Sequence, residues 1–247
     1  LVYGAWNVTP DDQPVITTID AGDMVIVGFD HPVLDDPSNP YGADFIVFGN
    51  LALNYSSQQY LGPDTDMSFV VLSSSPLYVG LGKVKVEVAQ YSNGPWFAFN
   101  KGPFTDSQFP TNRFAWDSNT GNWGQPLDPL KPVNPAMKTS DFAGLTVPQA
   151  IALYDGSAGG TGYDLQRLSP QDYQQLSIDP QTGKRWIQYV RLTSGGSPAG
   201  QVDAISDVAP IASPAFPRGD LNYDYRVNLQ DLMIFSQNWL VCTWNCQ

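Results

Sequence analysis

The chain has 247 residues, of which 42% are hydrophobic and only 15% charged, so it can bury a sizeable core. Its net charge of −12, from 24 acidic and 12 basic side chains with no basic cluster, argues against nucleic acid or an anionic membrane as a partner and favours divalent cations. The 22 Gly and 21 Pro break the sequence into short segments, which points to an all-β protein, and no apolar run reaches the roughly eighteen residues a membrane span needs.

Residues 1–209 read as one β domain, a jelly-roll-like β-sandwich of short strands separated by turn residues. The chain opens on the apolar stretch from Leu1 to Trp6, without a charged leader, as a mature secreted form would. That stretch reads either as an ordinary first strand or as a strand donated to a neighbour's sheet edge. Asn7-Val-Thr9 follows the glycosylation acceptor pattern, as does Asn54-Tyr-Ser56 further on. Met24–Val27 and Phe45–Phe48 are strand candidates, and between them lie Asp30, Asp35, Asp36, Asn39 and Asp44. Carboxylates gathered on one loop repel one another unless a cation or hydrogen bonds compensate, so this run is a candidate metal site or a solvated acidic loop. The only histidine, His31, has no catalytic partner pattern and reads as structural.

Phe69–Leu72 and Lys83–Val88 are the next predicted strands. In the second, Val84, Val86 and Val88 alternate with Lys83, Lys85 and Glu87, which gives one buried and one wet face. Trp96 sits with Phe97 and Phe99 in a strand-like stretch, whereas Trp116 and Trp123 fall in a long irregular region from Asn100 to Ala143. These three indoles are either core anchors or a platform for stacking sugar rings. Thr146–Tyr154 is predicted as a helix with Thr146 as its cap and Pro148 in its first turn. The Gly-rich Asp155–Asp164 lacks the lysine of a phosphate loop and reads as a wide turn before a strand. In the last strand of the domain, Trp186–Leu192, strict alternation puts Ile187, Tyr189 and Arg191 on one face and Trp186, Gln188, Val190 and Leu192 on the other.

Residues 210–217 form a stiff Pro/Ala/Ser linker, and residues 218–247 a second, small module. In it Asp220, Asn222, Asp224, Asn228 and Asp231 stand at positions 1, 3, 5, 9 and 12 of a calcium loop, and Arg226 at position 7 supplies its backbone carbonyl. Tyr225 replaces the usual glycine at position 6, and Asp231 is shorter than the usual glutamate. Apolar residues at helical spacing from Leu232 to Leu240 continue the loop into an amphipathic helix. Cys242 and Cys246 are the only cysteines and are spaced for a small disulfide in an oxidising compartment, or remain free thiols. No zinc-protease, nucleophile-elbow or phosphate-loop motif is present, so an enzyme is not expected, and paired carboxylates for glycoside hydrolysis are the only catalytic chemistry left open.

The tail Gly219–Leu240 looks like the single dockerin-like repeat that ends many secreted bacterial surface proteins. Upstream, Val27–Val33, Asp35–Gly42, Asp44–Asn50 and Gly160–Leu165 resemble the β-sandwich domain found with that tail. The resemblance implies Ca²⁺ at Asp220, Asn222, Asp224, Asn228 and Asp231. It also implies an extracellular or cell-surface location. The expectation is a secreted, non-enzymatic, calcium-binding structural protein that associates with itself, by head-to-tail contacts that build filaments, or with a surface protein or glycan. The alternative is a carbohydrate-binding module with Trp96, Trp116 or Trp123 as its platform.

Overall fold

The structure is a computed structural model that describes residues 16–56, 65–78, 83–103, 109–208 and 229–238. The Leu1–Trp6 stretch, Asn7, the linker, the loop ligands from Asp220 to Asn228 and both cysteines lie outside the described residues.

The strands are β1 (Thr17–Ile19), β2 (Met24–Leu34), β3 (Phe45–Gly49), β4 (Ala52–Tyr55), β5 (Leu72–Tyr78), β6 (Val84–Ala89), β7 (Phe97–Ala98), β8 (Phe114–Asp117), β9 (Asn122–Pro126), β10 (Thr161–Tyr163), β11 (Trp186–Ser194) and β12 (Gly200–Asp207). Among the described residues there are also three short α-helices, α1 (Val147–Ala152) and α2 (Pro170–Gln175) between strands and α3 (Leu229–Asn238) after β12. Two four-stranded sheets, ordered β1-β12-β3-β10 and β2-β11-β6-β7, are antiparallel at every pairing, and β4-β5 and β8-β9 add two hairpins. The expected all-β, sandwich-like fold is what the chain adopts.

The main core is filled from both sheets. Phe45, Val47 and Tyr163 meet Val84, Val86, Val88, Val190 and Leu192. On β3 the alternate residues Ile46 and Phe48 are buried as well, against Ala158 and Val208, which makes it a strand covered on both sides and explains its unbroken apolar sequence. A second core lies beneath the long region after residue 100, where Phe109, Val133 and Phe142 pack with Leu72, Ile151 and Tyr154. That irregular segment is therefore held by its own apolar side chains rather than being a loose loop.

Several local expectations are met. Thr146 caps α1, its hydroxyl accepting from the Gln149 amide at 3.4 Å while the Gln149 side chain accepts from the Thr146 amide at 2.9 Å. The Gly-rich piece is a wide turn into β10, with Asp155, Gly156, Gly159 and Gly160 all at positive φ.

Two expectations need correction, and one element was not foreseen. The strand expected over Phe69–Leu72 begins only at Leu72, because Phe69 closes a 3-10 turn, Met67–Phe69, in which the Asp66 carboxylate accepts the Ser68 amide at 2.9 Å and Phe69 is 74% exposed. Besides the expected α1, the chain forms the unexpected α2, which Ser169 caps ahead of Pro170. On β11 the faces do not alternate strictly. A bulge between Ile187 and Tyr189 shifts the register against β2, so Ile187 points into the core together with Val190 and Leu192.

Candidate functional site

The acidic run forms the connection between β2 and β3, on opposite sheets. Its first half is a tight turn: the Asp36 carboxylate accepts the Ser38 amide at 2.9 Å and the Ser38 hydroxyl at 2.7 Å. The second half reverses through Tyr41 and Gly42, at φ of 60° and 71°. Asp44 then enters β3 tied on both sides, its amide donating to Tyr163 O at 2.7 Å and its carbonyl accepting from Val208 N at 3.0 Å.

Register brings a third carboxylate to this loop. On β10, Tyr163 pairs with Phe45, so the next residue, Asp164, falls beside Asp44. Asp35, Asp44 and Asp164 each offer a carboxylate oxygen within 4.8 Å of the others. Asp44 is 0% exposed, Asp35 is buried and Asp164 is half-buried.

Each carboxylate is gripped by hydrogen bonds. Asp44 Oδ1 accepts from Asp36 N at 2.9 Å and from Asn39 Nδ2 at 3.4 Å, and its Oδ2 accepts from Leu165 N at 2.8 Å. Asp35 Oδ1 accepts from Gln166 Nε2 at 3.2 Å, and its Oδ2 from the Tyr173 hydroxyl. Asp164 Oδ1 accepts the Gln166 amide at 2.8 Å as the cap of a 3-10 turn, and Arg167 Nε stands 4.0 Å from its Oδ2. These bonds do not offset the desolvation of so much negative charge. Burial pushes the Asp44 carboxyl up to about 8, against the pull of the Leu165 and Asp36 amides, and the charges of Asp35 and Asp164 add to the rise. Asp164 is raised by burial and then by Asp35, and burial together with the Asp35 hydrogen bond pushes the Tyr173 phenol up to about 12. The cluster is a concentration of hard oxygen ligands of the kind Ca²⁺ takes.

Of the four acidic residues singled out in this run, Asp35 and Asp44 are the two brought together. Asp36 turns its other oxygen to Lys184 in an ion pair. Asp30 holds His31 Nδ1 at 2.5 Å, and His31 Nε2 reaches Asp207 Oδ2 on β12 at 2.9 Å, so this trio clasps the two sheets instead of joining the cluster. Asp164 was not among the expected ligands. Its signal is its place directly after a short strand whose partner is the strand that Asp44 begins, and sequence alone does not disclose that pairing.

The candidate aromatic platform is engaged by the protein itself. Trp96 lies under the Arg191 guanidinium at 4.6 Å, and Arg191 in turn binds Glu87 at 2.7 Å. Trp116 and Trp123 form an edge-to-face pair across the β8–β9 hairpin with ring centroids 5.1 Å apart, pack on the second core, and Trp116 Nε1 donates to Ser68 Oγ at 2.9 Å. Asn54 is half-buried on β4 and its side-chain nitrogen, the atom a glycan would take, donates to Ser75 O at 3.0 Å. Asp231 falls within α3. No helix among the described residues is long and apolar enough to cross a membrane. No protein-family model matches the chain and no curated protein matches it, so the dockerin-like resemblance rests on the residues that carry it.

Proposed function

We propose that this chain is a secreted, non-enzymatic, calcium-binding structural protein of a cell surface or extracellular matrix, built to join other copies of itself head to tail. The observation that carries the reading is α3. It continues a sequence with calcium-loop spacing at Asp220, Asn222, Asp224, Arg226, Asn228 and Asp231, and it leaves Leu229, Leu232, Met233 and Phe235 exposed. Apolar side chains at helical spacing on a helix this short are an invitation to dock, because a loop and one helix bury too little to be stable alone.

The occupant is a second copy. The sandwich offers apolar side chains on both faces of the edge strand β2: Met24 and Ile26 are exposed on one, and on the other Val25 and Val27 line an apolar cleft with Val202 and Ile205. Chains that each carry a charge of −12 repel one another, and bound Ca²⁺ lowers that repulsion where they meet. The buried state of Asp44 supports a structural role for the acidic cluster over a hydrolytic one, since a fully buried carboxylate does not reach a sugar ring.

Light scattering with negative-stain imaging in millimolar Ca²⁺, repeated after chelation with EDTA, tests the reading. Long assemblies that shorten on chelation are the expected result. Monomers under both conditions would remove self-assembly as the function.

A further inference from the structure

Among the described residues, β2 is the outermost strand of its sheet and pairs on one side only, with β11. The Ser194 amide donates to the Asp23 carbonyl at 3.1 Å, so the alternation of an antiparallel ladder gives Val25 and Val27 the bonds to Leu192 and Val190. The amide and carbonyl groups of Met24, Ile26 and Gly28 therefore point away from β11, toward the open edge. On its other side β11 keeps the same alternation, with the Gly195 amide donating to the Lys83 carbonyl at 3.1 Å. Proteins guard such a row of main-chain groups with a charge, a proline or a bulge. From Met24 to Phe29 there is neither a charged residue nor a proline, and the irregularity in the pairing comes only past Gly28. Met24, Ile26 and Gly28 are all exposed.

We propose that β2 pairs antiparallel with β2 of a second copy across a two-fold axis at Ile26, which joins two four-stranded sheets into one. In that register Met24 stands opposite Gly28 of the second copy and Ile26 opposite Ile26, so every outward group from Met24 to Gly28 finds a mate. The same register keeps the acidic flanks apart, because Asp23 falls opposite Phe29 and Asp30 opposite Gly22. The strand is thus its own complement, with a large side chain beside a bare backbone at Met24 and Gly28, and Val25 opposite Val27. That self-complementarity, in a chain whose charge of −12 keeps copies apart at most other surfaces, singles out a second copy as the partner. Pairing uses main-chain groups in the plane of the sheet, so the side chains of Met24 and Ile26 remain on the face that α3 of another copy would take. The contact goes beyond head-to-tail assembly and does not depend on it: a two-fold contact closes on two copies, whereas a head-to-tail one extends.

In the full chain, Leu232→Asp with Met233→Asp, both at exposed positions, disables docking through α3. Sedimentation equilibrium of that variant should find dimers and nothing larger. Amide exchange followed by NMR should show Met24, Ile26 and Gly28 gaining protection as concentration rises, with Val25 and Val27 protected throughout. Ile26→Pro removes an outward amide, a loss that an edge strand tolerates, and should weaken the dimer by about tenfold or more. Ile26→Lys sets two cations opposite each other at the axis and should weaken it likewise, so it serves if the proline variant does not fold by circular dichroism. An α3 variant that stays monomeric up to millimolar concentration overturns the pairing, as does a dimer that both substitutions at Ile26 leave unchanged. Outward amides already protected in the monomer would mean that a segment of the same chain, such as Leu1–Trp6, covers the edge, and would also overturn it. Dimers of the α3 variant beside a native chain that never forms filaments keep the pairing and remove head-to-tail assembly.

Discussion

Gly160 is the position at which a single methyl group tests how the outer face of β3 is closed. Its φ is +77°, a conformation that costs an alanine about 1–2 kcal/mol. A β-carbon there would also stand 2.7 Å from Ile46 Cγ2 and 2.7 Å from Phe48 Cδ1, closer than real β-carbons come to anything. Both neighbours are fully buried on a strand covered on both faces, so they have little room to yield, and overpacking adds about 1–3 kcal/mol. Gly160→Ala should therefore cost about 2–5 kcal/mol in all. Gly156 is the internal control, because its φ is +83° and nothing lies within 4 Å of its added β-carbon. Gly156→Ala should show the conformational cost of about 1–2 kcal/mol alone. Urea unfolding of the three proteins, compared at equal m-value, gives the two differences. If Gly160→Ala loses no more stability than Gly156→Ala, the turn does not press on β3 and the account of the covered strand is wrong.

The His31 clasp makes a pH-dependent contribution. Its hydrogen bond to Asp207 raises the imidazole above its ordinary 6.5, against burial and with help from Asp30, so the stabilisation is complete below 6.5 and disappears as pH rises through the raised folded value. His31→Gln should be less stable than the native chain by about 1 kcal/mol at pH 5.5, after allowance for solvent screening, with the gap closing at alkaline pH; a gap independent of pH would refute it. Glu87 is pushed up by burial but pulled further down by Arg191 and Lys85, so Glu87→Ala strands Arg191 and should cost about 2–3 kcal/mol in chemical unfolding at pH 7. A loss below about 0.5 kcal/mol would class the trio with ordinary surface pairs. Trp116→Ala removes half of the edge-to-face pair and should lower stability by about 2 kcal/mol in thermal unfolding, while the native chain's tryptophan emission stays unmoved by polysaccharides. Emission that shifts with a particular polysaccharide would instead support a sugar platform.

What the sequence determined by itself is local. Val84, Val86 and Val88 face the core because alternate residues of a strand point to opposite sides, and Thr146 starts α1 because its hydroxyl reaches an amide three residues on. The glycines of the wide turn before β10 are legible for the same reason, since positive φ is a property of single residues. Tertiary structure decided the rest. Ile187 belongs to the core only because a bulge shifts β11 against β2, and no pattern within seven residues carries that information. The acidic loop was readable as a set of candidates, yet which carboxylates meet was not: Asp36 goes to Lys184, Asp30 to His31, and Asp164 joins Asp35 and Asp44. The Leu165 amide that grips Asp44 lies 121 positions away along the chain. Side-chain periodicity and capping act over a few residues, whereas the meeting of Asp44 with Asp164 depends on the register of β10 on β3, which the packing of two whole sheets sets.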